Sequence, residues 1–291
     1  MMLHKEKTLF WDIINCPDAA KECCSRCRDV LSVQNSSNAR QVPEPWSGNM
    51  GVASVLIIGS NPAYVEDEVF PSKDRVWTGW TKVFPDGPIW DEDAVEAFFE
   101  GRFRGSKCPL IAKPYVDLDS GTTLRINKIG EVISVRLQND YWGVYEKYCE
   151  AIVPNFSPFS FVITDFVHCK SAREKGVSDA INDCVSFMKR ILEVFLDNQS
   201  KTHIVLLFGK DSDAEKKIKE LKGIGLQCES DPVPVGSYFY KRGDNKRKHK
   251  IFKQSYLFEN KQLDVYYNLP APSGSNRAAS PTVVNGQSIS W

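Results

Sequence analysis

"FVITDFVHCK", residues 161–170, decides how this chain is read. It begins as an apolar, β-branched run, the pattern of a strand buried on both faces. It then meets Asp165, His168 and Cys169, a carboxylate, an imidazole and a thiol within five residues. A plain core strand has no use for them. A buried strand that surfaces at its carboxyl end is where open α/β sheets bind their ligands.

Three other stretches share the pattern. "SVLIIGSNPA" (54–63) is a short strand running into a Gly-Ser-Asn-Pro loop, and "HIVLLFG" (203–209) and "LDVYYNLP" (263–270) are further buried strands. Between them lies "SDAINDCVSFMKRILEVFLDN" (178–198). Its Ile181, Val185, Met188, Ile191, Leu192 and Phe195 recur at helical spacing, with Ser178 or Asp179 as the expected cap. A second helix, "DSDAEKKIKELKGIG", follows the strand at 203–209. Short buried strands alternating with helices predict a mostly parallel sheet between helical layers. Two stretches break the rhythm. Residues 105–138 read as a hairpin insertion. Residues 233–258 pair "VPVGSYFY" with "IFKQSYLF" across "KRGDNKRKHK", a basic run read as a solvated loop and as the best candidate for touching phosphates. The Ser-, Ala- and Asn-rich chain after Arg277 is expected to be peripheral.

The 291 residues suffice for one large or two small domains. Hydrophobic residues make up 42% and charged residues 25%, a balance typical of globular proteins, and the formal net charge is zero. Any nucleic-acid surface must therefore be local. No apolar stretch approaches the roughly 18–20 residues that span a bilayer, and the start lacks the order of a signal peptide. The expectation is a cytoplasmic protein with no membrane partner; no protein partner is inferred. In a reducing compartment the nine cysteines point to metal binding or catalysis rather than disulfides. Cys24 and Cys27 form a C-x2-C, and Cys169 and Cys184 stand at a strand end and in the first turns of the next helix. Four thiolates suit an iron–sulfur cluster or structural zinc. Cys16 and Cys23 leave the choice of ligands open.

The order of these parts resembles the uracil-DNA glycosylase superfamily, and its iron–sulfur branch in particular. C-x2-C comes first, then strand–Gly-x-Asn-Pro, then strand–Thr-x-x-Val-x-Cys and a cysteine-bearing helix. A strand–Gly and a strand ending in Pro-x-Pro-Ser-Gly complete it. The likeness covers residues 16–63, 160–212 and 263–277. It implies a three-layer α/β/α fold with a central, mostly parallel sheet, in one DNA glycosylase domain over 1–277 with insertions near 105–138 and 233–258. It also implies double-stranded DNA as partner, with the target base flipped into a pocket, and a [4Fe–4S] cluster on Cys24, Cys27, Cys169 and Cys184 that shapes the surface without joining the chemistry. Zinc is the alternative occupant.

The resemblance carries over to individual residues. Gly59-Ser60-Asn61-Pro62 matches the first motif, with the second and third positions of the mismatch-specific and single-strand-selective branches rather than the Glu-Ala of the iron–sulfur branch. Asn61 would then position the attacking water, Ser60 would border the base, and Glu66, Asp67 and Glu68 remain alternative carboxylates. Phe70 stands where relatives stack an aromatic on the base. In "LPAPSGSNR" (269–277), Pro272, Ser273 and Gly274 would grip phosphates, and Ser275, Asn276 and Arg277 would fill the vacated stack. Ala271 replaces the His or Asn that relatives turn toward the base.

Asp165 departs from the pattern most. Uracil-reading relatives carry Asn there, whose amide pairs with N3–H and O4. A carboxylate repels O4 and accepts from an exocyclic amine, as in the reading of cytosine N4. With the space at Ala271, this points to a modified cytosine, hydroxymethylated or glucosylated as in bacteriophage DNA. The alternatives are a repair glycosylase for uracil or another deaminated base, and a non-catalytic iron–sulfur DNA-binding protein.

Overall fold

The four apolar runs form adjacent parallel strands. In the computed structural model these are β1 (Val55–Gly59), β5 (Phe161–Asp165), β6 (Ile204–Phe208) and β10 (Lys261–Leu269), numbered in chain order. They lie side by side as β5-β1-β6-β10. Residues 4–17, 25–34, 40–60, 62, 70–73, 91–101, 116–117, 122–126, 132–136, 139–157, 160–171, 176–198, 200, 202–209, 211–242, 245–270 and 282–289 are described. β6 is buried along its whole length, and β1 and β5 at all but their last residue. That burial explains their unbroken apolar sequence.

The sheet continues past β10 with its direction reversed. β9 (Asn245–Phe258) pairs antiparallel with β10, and β8 (Val233–Arg242) antiparallel with β9. The hairpin β11 (Thr282–Val284) and β12 (Gln287–Ile289) then adds to β8. With β7 (Gln227–Cys228) beside β9, the result is one nine-stranded mixed sheet. It curls into a half-barrel. The expected three-layer α/β/α fold with a central, mostly parallel sheet is therefore corrected.

The physical reason lies in what covers each face. One face carries Leu56, Ile58, Val162, Val205 and Leu207 into a core shared with four helices: α1 (His4–Ile14), α3 (Glu92–Gly101), α5 (Val177–Leu196) and α6 (Asp211–Gly223). On the other face, among the described residues, Val55, Ile57 and Ile163 meet a single helix, α4 (Asn139–Ile152), through Val144, Tyr148 and Ile152. The antiparallel strands contribute Tyr238, Ile251, Val284 and Ile289 to that same cluster. The sheet thus bends round α4, which packs on β11 and β12, where a second helical layer was expected. Fully burying a large apolar side chain contributes about 1.5–3 kcal/mol. Val284 and Ile289 therefore bring β11 and β12 into the core, where a peripheral tail was expected.

One more expectation changes, and the hairpin expected over 105–138 is present. The basic run was read as a loop, but its described residues 241–242 and 245–250 supply the facing ends of β8 and β9, with Arg242 opposite Asn245. Residues 105–138 contribute β2 (Val116–Asp117), β3 (Thr122–Ile126) and β4 (Val132–Arg136), a separate three-stranded antiparallel sheet. Among the described residues no helix is long and apolar enough to cross a membrane.

Candidate functional site

β1 and β5 run in register to their last residues, so Gly59 stands opposite Asp165 at the carboxyl edge. The Asp165 carboxylate lies across the end of β1. A Cβ built on Gly59 would fall 2.0 Å from Asp165 Oδ1 and 3.2 Å from its Cγ. Only glycine leaves that carboxylate its place. Beyond the strands the two segments stay together: Val167 N–H donates to the Ser60 carbonyl at 3.0 Å and Ser171 N–H to the Pro62 carbonyl at 3.1 Å.

A strap over residues 41–47 holds the other side of this segment. Ser47 and Ile163 exchange backbone hydrogen bonds of 2.8 and 2.9 Å, and Thr164 Oγ1 donates to the Pro45 carbonyl at 2.6 Å. Glu44 N–H donates to the His168 carbonyl at 2.8 Å, and His168 Nδ1 lies 2.8 Å from the Glu44 carbonyl oxygen. A carbonyl only accepts, so Nδ1 carries the proton. Burial lowers the His168 pKa to about 4, and the ring is neutral near pH 7. Its Nε2 is buried with no hydrogen-bond partner among the described residues. The imidazole is thus committed to the strap and does not hold Asp165.

Phe70 is fully buried, edge-on to Phe98 and Phe99 at centroid distances of 5.3 and 5.5 Å. Lys170 Nζ, itself buried, sits 3.5 Å from the Phe70 ring centroid. The expected base-stacking role is corrected: this ring is a core residue with a cation on its face. Nothing in the spacing of "VHCKS" marked Lys170 as buried.

The thiols converge behind this edge. Cys16, just beyond α1, Cys27, in α2 (Ser25–Leu31), Cys169, and Cys184, in α5, share one buried cluster with Val30, Val167, Val177 and Ala180. Burial raises the Cys169 thiol well above its ordinary range; the neighbouring Cys184, Cys27 and Cys16 raise it further, and Lys73 opposes them. α2 reaches α5 because of Gly176. The expected caps, Ser178 and Asp179, are inside the helix, and Gly176 takes the cap position at φ +75°. A Cβ there would lie 2.8 Å from the Asp29 Cβ and 2.9 Å from the Val30 nitrogen.

Cys16 joins Cys27, Cys169 and Cys184 in this cluster, while Cys23 and Cys24 lie outside the described residues. Four soft sulfur donors and no carboxylate fit an iron–sulfur cluster or zinc by donor chemistry. Among the described residues no group of three stands at metal-holding distance, so this is a set of donors rather than a formed coordination shell.

Asn61, Glu66, Asp67 and Glu68 also lie outside the described residues, as do Ala271, Pro272, Ser273, Gly274, Ser275, Asn276 and Arg277. Their points of departure are described. Ser60 follows β1 directly. Pro270 follows β10, whose Leu269 carbonyl accepts from Gly209 N–H at 2.9 Å. One strand, β6, separates the two departures, which at about 4.8 Å per strand sets them roughly 10 Å apart. No protein-family model, no curated protein and no solved structure matches the chain.

Proposed function

We propose that this protein is a monofunctional DNA glycosylase that flips a modified cytosine out of duplex DNA and hydrolyses its glycosidic bond. The observation that carries the reading is the Asp165 carboxylate lying against Gly59 at the carboxyl edge of the parallel strands. An ionised carboxylate accepts hydrogen bonds and cannot donate them. It takes the exocyclic N4 amine of cytosine and repels the O4 of uracil. The base enters between the loops that leave β1 and β10. Asn61 orients a water beneath C1′, and Ser60 borders the base. The C1′–N1 bond breaks, the water oxygen bonds to C1′, and its proton ends on the departing base. The small Ala271 leaves room for a substituent, and Pro272 to Arg277 hold the strand on either side.

Cys27, Cys169 and Cys184, with Cys24 or Cys16 as the fourth, would hold the [4Fe–4S] cluster, or zinc. When bound, it ties α2 and α5 to the segment after β5 and takes no part in bond breaking. Hydroxymethyl or glucosyl marks distinguish viral DNA from ordinary cytosine, which makes antiviral defence the role that fits.

The test is a panel of duplexes carrying cytosine, hydroxymethylcytosine, its glucoside or uracil, each incubated with the protein and then cleaved at abasic sites with alkali. Breaks at a modified cytosine and none at cytosine are expected. Breaks at uracil alone would make it a repair glycosylase. DNA binding without breaks at any base would make it a non-catalytic binding protein. Either result overturns the proposal.

A further inference from the structure

β8 and β9 outrun their neighbours. β10 pairs with β9 only from Phe252 to Phe258, and β11 pairs with β8 only at Gly236 and Ser237. From Tyr238 to Arg242 and from Asn245 to His249 the two strands pair with each other and, among the described strands, with nothing else. They form a two-stranded ribbon. Because β9 is antiparallel to β10, this ribbon extends past the carboxyl end of β10, the edge that also carries Gly59 and Asp165. From Lys250 to Asn245 it runs about six residues, roughly 20 Å at ~3.3 Å per residue.

Its composition is strongly basic. Arg247, Lys248 and Lys250 are exposed, and the register sets Phe239 opposite Lys248, Tyr240 opposite Arg247 and Lys241 opposite Lys246. On a chain of zero net charge this is a local concentration of cations. The ribbon's base is tied to the proposed site: Asn268 Nδ2 donates to the Lys250 carbonyl at 2.6 Å, and Asn268 is three residues before Ala271.

We infer that this ribbon is a duplex-DNA docking arm, lying in a groove beside the base held at Asp165 and pairing its lysines with phosphates. The major groove of B-DNA, about 12 Å wide, admits a two-stranded ribbon. The inference rests on the reading that the protein acts on DNA. It adds a contact independent of sequence and of base modification, which sets affinity and leaves base choice to the pocket.

The experiment measures binding of the full-length protein to an unmodified duplex over a range of salt. It compares the wild type with Lys248→Gln/Lys250→Gln and with a control, Lys219→Gln/Lys222→Gln, two exposed lysines toward the far end of α6. Each phosphate contact contributes about 0.9 to the slope of log K against log salt. The ribbon variant is expected to lose about 2 from that slope and to bind at least roughly tenfold more weakly near 0.1 M salt. The control should match the wild type. Single-turnover excision of the modified base at saturating protein should be unchanged in the ribbon variant. Equal slopes for wild type and ribbon variant, with excision intact, would overturn the docking arm and leave the glycosylase reading standing. Competition by polyglutamate as strong as by duplex would also overturn it, because the ribbon would then be a general polyanion surface. A wild type that binds no duplex would remove both readings.

Discussion

Asp165 Oδ1 lies 2.0 Å from where a Cβ on Gly59 would stand, so the two residues exclude any side chain at one position as long as the carboxylate occupies the other. That exclusion can be tested without any substrate.

Gly59→Ala should destabilise the fold by about 1–3 kcal/mol, the range for forcing extra volume into a packed site. Asp165→Ala removes the obstructing oxygens. The double variant should therefore be more stable than the sum of the single effects predicts, by about 0.5–3 kcal/mol of coupling. Denaturant titration of the four proteins measures the cycle. Strict additivity would show that the carboxylate does not lie across β1.

The thiol cluster makes a second prediction. Protein purified without oxygen should be brown and contain iron and inorganic sulfide in equal amounts. Cys16→Ser should lower the iron content as much as Cys27→Ser or Cys184→Ser does, because all three sit in the cluster around Cys169. Loss of folded protein should accompany loss of metal, since ligands that join distant segments couple binding to folding. A Cys16→Ser protein with its full iron would remove Cys16 from the donor set, and one equivalent of zinc without iron would replace the cluster by a structural ion.

Much of this edge was legible from sequence because buried strands write themselves as unbroken apolar runs. "SVLIIG", "FVITD", "HIVLLF" and "LDVYYN" all became strands, and the helix expected over 178–198 spans Val177–Leu196. The other half of the sheet was misread for an equally physical reason. In "VPVGSYFY" and "IFKQSYLF" polar and apolar residues are interspersed, as in half-covered antiparallel strands, and such a hairpin reads the same whether it is an insertion or the continuation of a sheet. Its pairing with Lys261–Leu269 is itself a tight hairpin: Glu259 and Asn260, both at positive φ, set Phe258 opposite Lys261, and that two-residue turn was its local sign. The sequence left Cys16 open as a donor, because what brings it to Cys169 is the packing of α1 on α5, which no spacing records. Lys170 and Phe70 show the opposite limit: an ordinary surface residue and an expected base-stacking ring are both fully buried.

Asn268 supports a prediction about the ribbon's base. It adopts φ +61°, in the left-handed region, at an irregularity in the pairing of β10 with β6. Its side chain donates to the Lys250 carbonyl. Asn268→Ala keeps the unfavourable backbone and loses the bond, and should cost about 1–3 kcal/mol. Asn268→Gly loses the bond but relieves the backbone, and should be the milder of the two by thermal melting. Equal loss in both would mean that the hydrogen bond alone matters.

The decisive measurement is the base preference of Asp165→Asn. On matched duplexes, single-turnover excision is compared for a modified cytosine and for the uracil derivative carrying the same substituent. The wild type should favour the cytosine. The amide can donate to O4 and accept from N3–H, so the variant's preference should move toward uracil by roughly ten- to a hundredfold, the scale of one base-edge contact worth about 1–3 kcal/mol. An unchanged ratio between the two bases would contradict base reading by Asp165, and the choice of modified cytosine as substrate would fall with it.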